Sequence, residues 1–204
     1  MVKYNLHRAL AEKKMLEKRI NSILNSFEPV GTKKGSDSKV YETKTSIEDF
    51  SKDVKSKYQQ IQDLIYNYNA LDKAIVISNS ITKVNIGNKE YTVADAIKRK
   101  DNIEFEQDLL RKMKQSHSKG LSNVNSRNQE VEKRLDEQTI NMEKQDKEQW
   151  SNVYRKQNEW KVIDPIGIIS EIEKLELDID EFLTEVDYAL STSNAITIID
   201  VDLK

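Results

Sequence analysis

Apolar side chains recur every three or four positions along three long stretches of this chain, and that spacing constrains its fold more than any other feature. In the first stretch, from about residue 4 to residue 27, Lys13 occupies the one polar seam position. The other seam positions are Leu6, Ala9, Leu16, Ile20, Ile23 and Phe27. A narrow apolar seam of this kind predicts a helix that packs on other helices as in a coiled coil.

The second stretch begins at Ser46, whose hydroxyl is placed to accept from the backbone N–H of Asp49 and so to cap a helix. Lys57 interrupts its seam, and Tyr58 lies beside the interruption. The apolar seam positions are Ile47, Phe50, Val54, Ile61, Leu64, Tyr68, Leu71 and Ile75. The stretch contains neither Gly nor Pro, which predicts one long helix.

The third stretch follows Asp164 and Pro165, a pair typical of a helix start, with Asp as the N-cap and Pro at the first helical position. We expect this helix to stop within residues 191–194. Its uninterrupted seam consists of Ile168, Ile172, Leu175, Ile179, Phe182, Val186 and Ala189. A further helix with a weaker apolar face is expected from about Val93, capped by Thr92. Its apolar positions are Ala94, Ile97, Ile103, Leu110 and Met113.

Two segments have the alternating pattern of β-strands instead. Residues 82–93 alternate around Gly87 and Asn88, which predicts a tight β-hairpin because Gly at the first turn position allows a positive φ. Residues 195–201 are rich in β-branched side chains and too short for a helix, so they predict a C-terminal strand. Since an isolated hairpin is marginal in water, we expect this strand to join the hairpin, in the same chain or in a neighbouring one.

Residues 114–161 carry few apolar side chains, and Gly120 lies in a Ser-rich patch that predicts a break. This segment is either a polar helical arm or a flexible connection. The predicted organisation is a helical bundle over 1–113 with the hairpin at 82–93, the arm over 114–161, and a C-terminal helix over 162–204 that returns to the bundle and ends in the strand. The fold class is therefore mainly α: an elongated antiparallel coiled coil or helical bundle with a small β-hairpin and a C-terminal β-strand.

Composition excludes several classes of protein. None of the 204 residues is Cys, which rules out disulfides, thiolate zinc sites and a cysteine nucleophile. The net charge of −2 argues against nucleic-acid binding, since phosphate contacts need a basic surplus. Phosphate-binding glycine loops and nucleophile elbows do not occur, and His7 and His117 lack the spacing of metal ligands. We expect no enzyme, cofactor, metal or small-molecule substrate.

Membrane insertion is not expected either. The longest apolar runs are too short to cross a bilayer, and the N-terminal residues lack the apolar core of a secretory signal. The chain is therefore expected to be made in the cytoplasm, with the option of later incorporation into a larger particle.

Charge is distributed unevenly between the first and the last predicted helix. Residues 1–26 carry six basic side chains and two acidic ones, whereas residues 165–190 carry eight acidic side chains and one Lys. Oppositely charged helices with matching seams favour each other as partners, so we expect these two to pack together. The same pairing accounts for Asp178, Glu181, Glu185 and Asp187 better than a carboxylate metal site, because the seam positions between them are apolar.

Two groups of side chains are candidates for partner binding. Trp150, Tyr154 and Trp160 are large aromatic residues on a polar segment, where they either anchor a partner or pack on another part of the same molecule. Ile196, Ile198 and Val201 belong to the predicted terminal strand, whose edge can add to a neighbouring sheet.

The order of these elements resembles the septicolysin-like family of small helical bacterial proteins. The resemblance covers about 1–113 and 158–194, and it is carried by Asn69, Asn79, Thr92, Ala96, Arg99, Lys100 and Asp101. The polar arm and the terminal strand depart from the family pattern. The resemblance implies a helical fold and no catalytic residues, while the family name implies a cytolysin.

The sequence therefore favours a non-catalytic coiled-coil protein that self-associates, as a homo-oligomer, or docks into a larger bacterial or phage particle. The alternative is a membrane-active, toxin-like protein, suggested by the family name and by the basic first helix.

Overall fold

The computed structural model describes residues 1–41 and 44–204. Within them it contains five helices and four strands: β1 (Val2–Asn5), α1 (Leu6–Asn25), α2 (Ile47–Ile81), β2 (Lys83–Ile86), β3 (Lys89–Thr92), α3 (Val93–Thr139), α4 (Lys144–Asn158), α5 (Ile168–Ile196) and β4 (Ile198–Val201). The protein is 72% helical, which confirms the mainly α class with a small hairpin and a C-terminal strand. The chain divides into two compact units, Met1–Lys98 with Glu185–Lys204 and Arg99–Thr184, called unit 1 and unit 2 below.

In unit 1, α1 packs along α2 through the two predicted seams. Lys13 faces Asp72 and Phe27 faces Tyr58, so the two helices run antiparallel. Lys13, the one polar residue of the α1 seam, donates to Asp72, and its ammonium lies 5.3 Å from the centroid of the Tyr68 ring. The prediction that the first helix packs along the last is wrong, since α1 takes α2 as its partner and meets α5 at His7, whose Nε2 lies 3.1 Å from the Ser191 carbonyl oxygen.

The terminal strand pairs with a strand that the sequence did not predict. β4 is antiparallel to β1 at the N-terminus, with Tyr4 opposite Ile199, rather than to the 82–93 hairpin. The predicted helix from residue 4 instead begins at Leu6, because the Asn5 side chain accepts from the backbone N–H of Arg8 at 2.8 Å and caps it there. Tyr4, Ile199 and Val201 cover the seam of α1 and α2.

The hairpin and two helix caps are confirmed. β2 pairs with β3 around Gly87, which has a φ of +57°. Ser46 accepts from the backbone N–H of Asp49 at 3.0 Å at the start of α2. Thr92 accepts from the backbone N–H of Asp95 at the same distance at the start of α3.

In unit 2, one long helix faces two shorter ones. α3 continues through Gly120, so the predicted break there is wrong, and the chain turns at residues 140–143 instead. Gly120 lies on the face of α3 that borders a cavity of about 520 Å³, together with Trp160 and Pro165.

The inward face of α3 in unit 2 has residues spaced by three or four positions, as in a coiled coil, but several of them are polar. Its half-buried or buried positions are Arg99, Ile103, Glu106, Leu110, Met113, His117, Gly120, Val124, Asn128, Val131, Leu135 and Thr139. Ala94 and Ile97, predicted for the apolar face of this helix, are exposed instead. On α5 the predicted seam is correct, and Ile179, Phe182 and Val186 are buried.

Both predicted ends of α5 are corrected. The Asp164 carboxylate accepts from the backbone N–H groups of Ile166 and Ile168, closing a turn that Gly167 completes with a φ of +69°. The helix therefore begins at Ile168 rather than at Pro165. At the other end it continues through Ser193, which is buried, to Ile196.

Candidate protein-docking site

A groove runs along unit 1 between α2 and β4. One wall is a stripe of α2 side chains spaced by three or four residues, and the other is the strand itself from Thr197 to Asp202. The cavity volume is about 690 Å³. We call the α2 stripe the side chains of Tyr66, Ala70, Lys73, Ala74, Ile77 and Ile81, which line the groove.

The edge of β4 that borders this groove has no strand beside it among the described residues, because its sheet consists of β1 and β4. The Leu6 backbone N–H donates to the Thr197 carbonyl at 3.0 Å, which places Leu6 and Thr197 at a hydrogen-bonded position of the antiparallel ladder. Hydrogen-bonded positions alternate along such a ladder. Ile199 and Val201 therefore bond to β1, and the backbone N–H and C=O groups of Ile198 and Asp200 point to the free edge.

The side chains around the groove are partly apolar and partly charged. On α2, Ile77 and Ile81 are 50% and 71% exposed, and Ile198 of β4, on the face of the sheet that points away from α2, is 65% exposed. Asp200 and Asp202 line the strand side, and Lys73 lines the helix side. At the end of the groove the Asn67 amide oxygen accepts from the Lys204 backbone N–H at 2.7 Å, so the residues after β4 are tied to α2.

The structure places the three predicted strand residues differently. Ile198 lies in β4 with its side chain exposed, beside the free edge. Ile196 is the last residue of α5 rather than part of the strand, and it is 74% exposed. Val201 is 2% exposed and belongs to the core, so its side chain is not accessible to a partner in this structure.

The three predicted aromatic residues lie in unit 2 and do not form one cluster. Trp150 and Tyr154 are one turn apart on α4, with ring centroids 6.4 Å apart, and Val153 is exposed beside them. Trp160 lies after α4 and packs on α3. Its backbone exchanges hydrogen bonds of 2.8 and 3.0 Å with the Asn128 side chain, and the Arg127 guanidinium lies 5.3 Å from its ring centroid.

Ion pairs fix the helices of unit 2 against each other. The Arg99 guanidinium bonds both carboxylate oxygens of Glu106 and, at 2.8 Å, a carboxylate oxygen of Asp178, and its Cζ lies 4.4 Å from the Phe182 ring centroid. Arg99 is 14% exposed in its side chain. A second, exposed pair joins α3 and α4, where a hydrogen bond from Arg155 lowers the pKa of the Glu132 carboxyl.

Residues 1–41 and 44–204 contain no group of three His, Asp or Glu side chains that could hold a metal ion. None of the helices within these ranges combines the length and the apolar composition that a membrane span requires.

Sequence reasoning missed the α2 wall of the groove and the strand β1. The available signal was the alternation of Val2, Lys3 and Tyr4, but three residues before a strong helical pattern are too few to distinguish a strand from a helix start. Ile77 and Ile81 are offset from the predicted seam of α2, and a second apolar stripe on one helix indicates a second contact surface.

Comparisons with protein-family models, with curated proteins and with solved structures found no match to this chain.

Proposed function

We propose that this chain is a non-catalytic assembly protein, made in the cytoplasm, that joins a larger multisubunit structure of bacterial or phage origin by protein–protein contacts. In this proposal the chain is a septicolysin-like protein that has no lytic activity. Self-association and docking onto a different chain are both forms of this function.

The free edge of β4 carries the proposal. A strand edge exposes a row of backbone donors and acceptors that another chain can pair with, and proteins commonly cover or charge such edges to prevent it. Here the edge is uncovered among the described residues and borders an apolar groove. An uncovered edge beside an apolar floor has the features of a site for strand addition.

A second surface supports the same class of function. Trp150, Val153 and Tyr154 leave apolar area on a helix that is otherwise polar, and Trp150 is 44% exposed. Aromatic side chains of this kind are enriched where protein partners bind. Trp160 contributes less to such a surface, because its backbone and ring are engaged with α3.

The test places a photo-crosslinking amino acid at Ile198 in the full chain, expressed in the cells from which it comes. We expect a covalent adduct with a protein chain, and the Asp200→Pro change should abolish it because Pro removes the N–H that points to the free edge. Asp200→Ala is the matched control, since it keeps that N–H. The same crosslinker at Tyr188, which is exposed on α5, reports non-specific capture.

Three results would count against the proposal. One is the absence of any adduct at position 198, and another is equal adduct formation in the Asp200→Pro variant. The third is leakage of anionic lipid vesicles at micromolar protein, which would favour the toxin-like alternative.

A further inference from the structure

We propose that the groove between α2 and β4 binds an extended segment of a different protein, about six to eight residues long, with apolar side chains at alternate positions and basic side chains between them. The segment would add to β4 as a third strand. This inference rests on the proposed function and specifies the partner of the same site.

The dimensions of the groove set the length of the segment. Its strand wall runs from Thr197 to Asp202, and a strand advances about 3.3 Å per residue. Its helix wall runs from Tyr66 to Thr82, and a helix advances about 1.5 Å per residue. The two walls, about 20 Å and about 25 Å long, therefore match an extended segment of about six to eight residues.

The floor of the groove, formed by α2, favours apolar side chains in the bound segment. Ile199 and Val201 of β4 point down and pack with Leu71 and Ile75 of α2. The alternate side chains of an added strand would point the same way, onto the neighbouring α2 stripe. That stripe has the small residues Ala70 and Ala74 and the exposed Lys73 at its centre, with Ile77 and Ile81 towards one end. Large apolar side chains fill such a space best.

The face of the sheet that points away from α2 favours basic side chains in the bound segment. Here Asp200 and Ile198 are exposed, and the exposed carboxylate of Asp202, next along the chain, lies 3.8 Å from the N-terminal ammonium of Met1. On the other edge of β4, the residue opposite Asp200 is Lys3 of β1, with the apolar Val2 and Tyr4 on either side. β4 thus already pairs on one edge with a strand that has Lys opposite Asp200 and apolar residues on both sides of that Lys. Oppositely charged cross-strand pairs of this kind stabilise a sheet.

A second copy of this chain fits the groove poorly. Paired strands lie about 4.8 Å apart, so antiparallel pairing of two β4 strands about a two-fold axis normal to the sheet would place both α2 helices on one face and crowd them. Packed helices need about 8 to 10 Å between their axes. A partner segment that brings a strand with no helix on that face avoids this crowding, and it is the occupant that we propose.

The experiment measures binding of labelled, end-capped synthetic octapeptides to the full chain by fluorescence anisotropy. The probe alternates Val and Lys. One comparison peptide alternates Val and Glu, and another contains four Lys followed by four Val, so that composition is kept and alternation is lost. The Val–Lys peptide should bind at least about tenfold more tightly than either comparison peptide.

Protein variants locate the peptide in the groove. Ile77→Asp should weaken binding about tenfold or more, whereas Val76→Asp, at a slightly more exposed neighbour that does not line the groove, should leave it unchanged. Asp200→Pro should weaken binding more than Asp200→Ala, because the first removes both the charge and the edge N–H and the second removes the charge alone.

The possible failures separate the two proposals. Equal or tighter binding of the Val–Glu peptide overturns the basic specificity, and equal sensitivity to Val76→Asp overturns the groove. If no peptide binds and the chain forms a dimer that Asp200→Pro dissociates, the partner is a second copy, so this inference fails and the proposed function stands. If no peptide binds and no adduct forms at Ile198, both fail.

Discussion

The two units of this protein hold their helices together by different means. In unit 1, α1 and α2 meet through apolar seams in which Lys13 is the one polar position of α1, and a two-stranded sheet covers them. In unit 2, the inward face of α3 includes Arg99, Glu106 and Asn128, and each of these makes specific bonds to a neighbour. Apolar packing therefore dominates unit 1, and directed polar contacts align unit 2.

This difference affects how each unit responds to substitution. An apolar seam tolerates changes that keep volume and hydrophobicity, because its attraction is non-directional. The stability of a half-buried polar contact requires all of its members, because removing one side chain leaves the remaining polar groups desolvated without that partner. Polar residues should thus be replaceable in unit 1 and hard to replace singly in unit 2.

The largest effect is expected at Arg99. Changing Arg99→Met should destabilise unit 2 by about 2 to 3 kcal/mol, because it removes the half-buried guanidinium that bonds the carboxylates of both Glu106 and Asp178. Replacing all three with Met, Leu and Leu should restore most of the loss. Urea unfolding followed by amide exchange within residues 99–184 measures both. A triple variant as unstable as the single one would show that shape, rather than unpaired charge, explains the effect.

Asn128 tests a neutral polar contact in the same unit. Asn128→Ala should cost about 1 to 2 kcal/mol and release the backbone of Trp160, since both of its side-chain bonds go to that residue. The released indole should become more exposed, which shifts its fluorescence to longer wavelength. Measuring this in a Trp150→Phe background isolates Trp160, and an unchanged spectrum would contradict the role assigned to Asn128.

Lys13 tests the single polar seam position of α1 in unit 1. Lys13→Met should change the free energy of unfolding by about 1 kcal/mol or less, because the apolar side chain compensates for the lost contacts with Asp72 and Tyr68. A loss as large as that expected for Arg99→Met would remove the distinction between the units.

The same lysine gives a pH dependence of known sign. The hydrogen bond to Asp72 raises the pKa of Lys13 above its ordinary value of 10.5. Its contribution is therefore complete below about pH 10.5 and disappears as the pH rises through the raised pKa of the folded state. Wild-type protein should lose stability relative to Lys13→Met when the pH is increased from about 9 to above that pKa.

The smallest effect is expected at the exposed pair of Glu132 and Arg155. Their hydrogen bonds of 2.8 Å lower the pKa of Glu132, so any contribution exists above the ordinary carboxyl pKa and disappears as the pH falls through the lowered one. Water and salt screen such pairs strongly. Glu132→Gln should leave the unfolding midpoint unchanged within error at neutral pH, and a clear decrease would show that polar contacts matter even at the surface of unit 2.

Local patterns in the sequence predicted much of this fold. The seams of α1, α2 and α5, the hairpin at Gly87 and the caps at Ser46 and Thr92 depend on residues within a few positions of each other. The sequence could not predict that β1 forms and pairs with β4, because the partners lie at opposite ends of the chain and each strand is short. The continuity of α3 was hidden because Arg99, Glu106 and Asn128 occupy seam positions where apolar residues are expected.

The candidate site was predicted in part. Ile198 was identified from its β-branched neighbours, but periodicity alone could not show that Val201 faces the core and that Ile196 ends a helix. The groove needs both α2 and β4, and their proximity depends on how β1 places the last strand. Tertiary pairing, rather than local preference, builds this site.

Residue-by-residue amide hydrogen exchange of β4 tests the central claim most directly, that one edge of this strand is free for another chain. In the dilute protein, the backbone amides of Ile198 and Asp200 should exchange rapidly, while those of Ile199 and Val201 should be protected by their bonds to β1. The Val–Lys peptide should then slow exchange at Ile198 and Asp200. Strong protection of all four amides in the dilute chain would contradict the account, because the edge would already be covered.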